Sequence, residues 1–216
     1  MTDIQPISPP ARIGFFGLGA MGRGMAANLV KAGFTVTAFD PSAEARQAFE
    51  SRSGVKAVST AREACVDQDA IVTVLGDGKV VRAALLGDGA PIKAAKRGTL
   101  VIDCSSSAPP DTLSLETELS PLGIGLIDSP VSGAQKGADE GTLTLMVGGP
   151  EELVKKADAV LRGMGKSIFH TGRLGSGHAM KTINNYLAAL NLISALQGLA
   201  IACRPRRSGC LSFPRS

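Results

Sequence analysis

Residues 12–22 read "RIGFFGLGAMG", and this stretch constrains the fold more than any other in the chain. A short apolar run ends in Gly17-x-Gly19-x-x-Gly22, and a helical pattern closed by Gly33 follows at once. Each glycine has its own task in such a unit. Gly17 permits the tight turn, Gly19 lets the backbone approach a pyrophosphate, and Gly22 lets the helix pack closely on the strand. Leu18, Ala20 and Met21 complete a turn at the helix N-terminus, which faces the phosphate charge. Alone, the spacing is a weak signal, because a plain structural turn also explains it. Here "TVTAFD" adds a second strand ending in Asp40, 18 residues after Gly22, near the spacing of a carboxylate that accepts ribose hydroxyls. The whole unit predicts dinucleotide binding by Gly17, Leu18, Gly19, Ala20, Met21, Gly22 and Asp40. An acid there repels a 2′-phosphate, and no arginine follows it before Arg46, so NAD is preferred over NADP.

The alternation continues down the chain. "AIVTVL", "TLVIDCS", "GIGLIDSP", "TLTLMVGG" and "KSIFHTG" read as strands, with helices near 79–86, 109–120 and 150–161 and a long helix from about Ser176. Strand–helix alternation of this kind predicts an α/β fold whose mostly parallel sheet is covered on both faces. At 216 residues the chain can hold one full domain and part of a second.

Composition excludes several alternatives. With 44% hydrophobic and 19% charged residues the chain is of soluble globular type, far from the disordered class. No Trp, one Tyr and seven Phe leave few rings for stacking, which argues against single-stranded nucleic-acid binding. The formal net charge of +4 sits in the last 13 residues, "RPRRSGCLSFPRS", which carry four Arg and no acid. The remaining body is neutral, so no nucleic-acid-binding face is expected. Cys65, Cys104, Cys203 and Cys210 form no CxxC pair, and neither His170 nor His178 has a partner at ligand spacing, so no metal site is expected. Scattered cysteines of this kind read as reduced thiols of a cytoplasmic protein. "MTDIQPISPP" reads as a flexible lead over residues 1–10, and as neither a signal nor a transit peptide. The run from Tyr186 to Cys203 is apolar enough to raise the membrane question. Asn191, Ser194 and Gln197 recur within it at three-residue steps, which predicts a buried helix with a polar seam and no membrane span.

Two further stretches carry chemistry. "DSPVSGAQKGADEGTLTLMVGG", residues 128–149, follows a strand at the carboxyl edge, where open α/β sheets place ligands. Ser132 and Gly133 offer a hydroxyl and close N–H groups that suit a small carboxylate. A glycine-rich hairpin explains the same run equally well. In "GSGHAMKTINNYLAAL", residues 175–190, Lys181 and Asn185 stand four apart and share one helix face. A desolvated lysine can take the proton of an alcohol that loses hydride, and return it during reduction. From periodicity alone, a solvated surface lysine is the commoner outcome. His178 reads as a solvated or helix-satisfying residue with no catalytic role.

Three ordered stretches together resemble the β-hydroxyacid dehydrogenase family, which includes the 3-hydroxyisobutyrate dehydrogenases. "FFGLGAMGRGMAANLVKAG" is similar to its opening signature, "DSPVSGAQKGADEGTLTLMVGG" to its substrate loop D-x-P-V-S-G-G-x-x-G-A-x-x-G-T-L, and "GSGHAMKTINN" to its catalytic G-x-G-x-x-x-K-x-x-N-N. The likeness covers roughly residues 11–203. It implies a Rossmann-type doubly wound domain followed by an all-helical domain, and NAD(P)-dependent oxidation of a small 3-hydroxy acid. By position it implies Lys181 as general acid/base, Asn185 as a substrate-binding amide, and Ser132 and Gly133 as carboxylate binders. Leu75 and Gly76 fall where the family has Leu-Pro against the cofactor, and Ser106 falls on a Thr that approaches it. Ala134 for the third glycine of S-G-G, Gly76 for proline and Ser106 for Thr are departures from the pattern. Gln135 and Lys136 lie where substrate choice is tuned.

The resemblance divides the chain into a lead over 1–10, an NAD-binding domain over 11–174, the start of a helical domain over 175–203, and a basic tail over 204–216. The family's helical domain continues beyond residue 203 and carries a later lysine near the nicotinamide. Pro205 stops the helix and nothing after it is periodic, which reads as a frameshifted or misjoined frame. A complete helical domain would make a homo-oligomer. Two functions are therefore expected as alternatives: an NAD-dependent 3-hydroxy acid dehydrogenase, or a truncated, inactive dinucleotide-binding fragment.

Overall fold

The computed structural model describes residues 5–202 apart from Gly54 and Lys56. Cys203, the basic tail with Pro205 and Cys210, and residues 1–4 of the lead lie outside the described residues. The chain runs through β1 (Arg12–Phe16), α1 (Gly22–Lys31), β2 (Thr35–Phe39), α2 (Ala43–Ser53), β3 (Ala70–Thr73), α3 (Gly78–Leu86), β4 (Leu100–Asp103), α4 (Pro109–Leu119) and β5 (Gly125–Asp128). It continues through β6 (Val131–Ser132), α5 (Ala134–Glu140), β7 (Leu143–Gly148), α6 (Glu151–Met164), β8 (Gly165–Gly172) and α7 (Ser176–Ala202). Local chemistry sets several starts. Ser42 Oγ accepts the Ala45 N–H at 3.1 Å ahead of α2, the Asp77 carboxylate accepts the Val80 N–H at 2.9 Å ahead of α3, and Pro109 opens α4.

The sheet order is β2-β1-β3-β4-β5-β7-β6, with β8 paired to β7. Strands β1 to β5 are mutually parallel, as the alternation predicts, while β7 runs antiparallel to β5 and β6. The links from β5 to β6 and on to β7 are too short for a parallel crossover, so this stretch reverses direction. Within it, α5 takes up seven residues, so the second glycine run is not a simple hairpin. Successive strand residues bury opposite faces. Phe15, Val72 and Ile102 join one apolar core, and Phe16, Ile71 and Val101 join the other. Strand order reverses about β1, between β2 and β3, so the carboxyl ends of β1 and β3 flank the crevice where such sheets bind ligands.

Two expectations change here. Ile7, within the expected flexible lead, is 4% exposed, and its N–H donates to the Lys156 carbonyl at 2.9 Å, so an apolar side chain ties this part of the lead to α6. The chain divides into two units, Met1–Lys181 and Thr182–Ser216. In the first, the start of α7 is buried at Gly177 and His178. In the second, the described part of α7 is exposed throughout, including Asn191, Ser194 and Gln197, so the expected buried helix with a polar seam is absent. By length and composition alone α7 could cross a membrane, with a mean hydropathy of 1.3 in its most apolar window.

Candidate functional site

The glycine turn follows β1 as its spacing predicts. Gly17 has φ +98°, and a Cβ there would strike the Val74 carbonyl, so the backbone just after β3 approaches the turn as only glycine allows. A Cβ on Gly22 would strike the Gly17 carbonyl, which is the close strand–helix packing expected at that position. Nothing lies within 4 Å of a Cβ built on Gly19, and both Gly19 and Ala20 are exposed, so the turn opens to solvent where a ligand would sit. Leu18 is buried, and its N–H donates to Asp40 Oδ2 at 2.7 Å, while the Ser42 N–H donates to Oδ1 at 2.9 Å. Asp40 thus braces the turn from the end of β2. A carboxylate has about four acceptor sites, so each oxygen retains capacity for a ribose hydroxyl. Arg46 donates from one guanidinium nitrogen to the Asp40 and Pro41 carbonyls, at 2.6 and 3.1 Å. Beside the turn lies an apolar slot of about 270 Å³ that includes Phe16, Phe39, Leu75, Val80 and Ala84. Its lining is almost wholly apolar, which suits the faces of a ring. Of its lining, only Gly17 and Leu75 were legible as site residues; Val80 and Ala84 carry only helical spacing.

A second cavity, about 320 Å³, opens at the carboxyl edge. Its lining brings Met21, Leu75, Ser106, Ser132, Gly133 and Lys181 together, residues named separately from the sequence. Val74, Cys104, Ser105, Val131 and Ala134 complete it. Ser105 Oγ accepts the Leu75 N–H at 3.0 Å, which ties the loop after β4 to the loop after β3. Burial, with the Asp103 charge second, pushes the Cys104 thiol well above its usual range, so it lines the cavity as a neutral group. Lys181 is half-buried, and burial pulls its pKa below the ordinary lysine value. Among the described residues no carboxylate pairs with it. Gly76 is exposed and outside this lining, as are Gln135 and Lys136. Asn185 is exposed and belongs to the second unit. Among the described residues no cluster of His, Cys, Asp and Glu could hold a metal ion.

His178, which the sequence left as solvated or helix-satisfying, is 1% exposed, and its ring bonds to the Ser105 backbone carbonyl after β4 and to the Thr112 hydroxyl on α4. No signal in its own stretch marks this, because its partners come from three distant segments.

A parallel sheet that reverses order at β1, with an open glycine turn and a lysine-bearing cavity at its carboxyl edge, defines a dinucleotide-binding α/β protein. Residues 12–172 match the family described as the NAD binding domain of 6-phosphogluconate dehydrogenase. The chain belongs to this family, among the 3-hydroxyisobutyrate dehydrogenase relatives. It is 40% identical over 193 residues to 2-(hydroxymethyl)glutarate dehydrogenase of Eubacterium barkeri, covering 89% of this chain and 64% of the relative. It is 36% identical over 192 residues to 3-hydroxyisobutyrate dehydrogenase of Pseudomonas aeruginosa, with the same coverage of 89% and 64%. The structure of 3-hydroxyisobutyrate dehydrogenase from Mycobacterium tuberculosis with L-serine superposes with a TM-score of 0.83 at 37% identity, covering 89% of this chain and 65% of that one. The chain therefore spans a little under two thirds of the length of these relatives.

Proposed function

We propose that the chain carries the cofactor domain and the proton-transfer lysine of an NAD-dependent dehydrogenase of small 3-hydroxy acids. One observation supports this above the rest: Lys181, Ser132, Gly133 and Ser106 line a single cavity that continues past Leu75 and Met21 toward the glycine turn. In this reading residues 11–174 hold the cofactor, and a helical domain begins at 175. The glycine turn and Asp40 would hold the dinucleotide, and the apolar slot of Phe39, Val80 and Ala84 would take its adenine. The bound nicotinamide would supply the acceptor for the hydride that leaves the alcohol carbon. Ser132 and the backbone N–H of Gly133 bind the substrate carboxylate. Lys181, its pKa lowered by desolvation, takes the hydroxyl proton in its neutral form as the alcohol becomes a carbonyl, and gives it back in the reverse direction. NAD is favoured over NADP because the Asp40 carboxylate beside the glycine turn would repel a 2′-phosphate, while one guanidinium nitrogen of Arg46 already donates to backbone carbonyls. The buried thiols Cys65 and Cys104 suit a reducing, cytoplasmic setting. In the same reading Asn185 adds an amide to the substrate; the second reading is a dinucleotide-binding chain without turnover.

Calorimetry with NAD, beside a hydride-transfer assay on a panel of 3-hydroxy acids, separates the two readings. The dehydrogenase reading expects both binding and turnover, with Lys181→Ala losing about 10²–10⁴-fold in kcat and keeping its NAD affinity. Binding without turnover would establish the second reading, and no NAD binding would defeat both.

A further inference from the structure

Asp103 and Asp128 end the neighbouring parallel strands β4 and β5 in register, and neither is more than 1% exposed. Two buried carboxylates side by side persist only when hydrogen bonds and neighbours compensate their charge. Asp103 accepts from Thr73 Oγ1 at 2.9 Å, the Ser105 N–H at 3.0 Å and Ser107 Oγ at 2.8 Å. Asp128 is satisfied by the start of α7 instead: the Gly175 N–H donates to Oδ1 and the His178 N–H to Oδ2, each at 2.7 Å. These are the orphan donors of a helix N-terminus, met by a carboxylate from the sheet.

The His178 ring lies between the two acids, with Nε2 3.8 Å from Asp103 Oδ2 and Nδ1 3.7 Å from Asp128 Oδ2. Its hydrogen bonds run to two other segments. Nε2 is 3.1 Å from the Ser105 carbonyl oxygen, and Nδ1 is 2.7 Å from Thr112 Oγ1 on α4. A carbonyl only accepts, so Nε2 donates in the first bond. Ser105 is also a wall of the cavity that Lys181 lines, three residues and nearly one helical turn after His178.

We propose that His178 is the positioning residue for Lys181: clamped between Asp103 and Asp128 and bonded to Ser105 and Thr112, it locks the first turn of α7 to the sheet edge and fixes Lys181 in the cavity. This deepens the reading of Lys181 as the proton-transfer group, and its catalytic meaning rests on that reading; the locking itself does not. A loosened first turn lets the ammonium reach water, which returns its titration toward the ordinary lysine range.

The test uses the intact chain with its lysines reductively methylated with ¹³C, and the Lys181 signal assigned by Lys181→Arg. Its titration is followed by NMR, with NAD affinity measured by calorimetry. In His178→Leu the Lys181 midpoint moves up and its neutral fraction at pH 8 falls severalfold, while the NAD Kd stays within twofold. His178→Gln, whose amide can still donate to the Ser105 carbonyl, restores most of the original midpoint. If His178→Leu does not fold, Thr112→Val removes the hydroxyl at Nδ1 with little change of shape and shifts Lys181 in the same direction. An unchanged Lys181 midpoint in a folded variant overturns the proposal. A parallel loss of NAD affinity also overturns it, because the whole edge has then moved. Undiminished turnover in Lys181→Ala would instead remove the catalytic reading alone, so the two failures are distinguishable.

Discussion

Ala134 takes φ +54°, a left-handed conformation in which a Cβ costs about 1–2 kcal/mol. The family pattern has glycine there, so the chain holds a strained residue at the wall of its own cavity. Ala134→Gly is expected to stabilise the fold by about 1 kcal/mol, once the greater freedom of glycine in the unfolded chain is subtracted. Urea unfolding measures it, and a lower midpoint would show that the methyl group contributes packing worth more than the strain. Lys181 supplies a prediction about pH. Burial favours its neutral form, so the form competent to take a proton is present at lower pH than for a free lysine of pKa about 10.4. Alcohol oxidation therefore rises with pH through a midpoint below that value, and carbonyl reduction falls through it. A pH–rate profile in both directions checks this, and an oxidation rate flat from pH 6 to 10 would remove Lys181 from the chemistry.

The first turn of α7 draws two of its backbone hydrogen bonds from a single carboxylate of β5. Asp128→Asn leaves one of the two N–H donors of Gly175 and His178 facing an amide NH₂, and a lost bond to a buried charged group is worth about 1.5–3 kcal/mol. Thermal unfolding of Asp128→Asn should show a loss of that order, and a neutral result would mean that the bonds of the His178 ring and packing hold the turn without the carboxylate. Elements such as β1, α1 and β2 were legible because apolar runs of the right length are bracketed by Gly17, Gly33 and the Pro41-Ser42 pair. In the β6–α5–β7 segment β7 was legible as the strand "TLTLMVGG", whereas β6, α5 and the antiparallel direction were not. The seven residues of α5 are too few to show a period, and the antiparallel turn depends on the length of the links around it. The cavity was half legible for a related reason. Lys181, Ser132 and Gly133 carry chemistry in their residue types and motifs, whereas Val74, Val131 and Ser105 reach the cavity only through strand order. His178 was misread because its burial is decided by Asp103, Asp128 and Thr112, none of them near it in the chain.

The unit Met1–Lys181 contains the sheet, both apolar cores and the site, while the described part of Thr182–Ser216 is bare helix. From Thr182 to Ala202 that helix has no charged side chain, and Tyr186, Leu187, Leu192, Ile193, Leu196 and Leu199 are each at least 50% exposed. Soluble monomers rarely leave apolar patches larger than a few hundred Å² in water, and such patches drive association. Burying one such leucine gains about 1.5–3 kcal/mol, so a few per chain are enough to oppose the entropy of pairing at micromolar concentration. The chain is therefore expected to self-associate, with a mean mass that rises with concentration in light scattering or sedimentation. Leu192→Gln with Leu199→Gln should shift the distribution toward monomer and leave the NAD Kd within twofold, because the glycine turn and Asp40 belong to the other unit. A wild-type chain that stays monomeric at several hundred micromolar without detergent would contradict the expectation. A double variant as associated as the wild type would move the contact away from this helix.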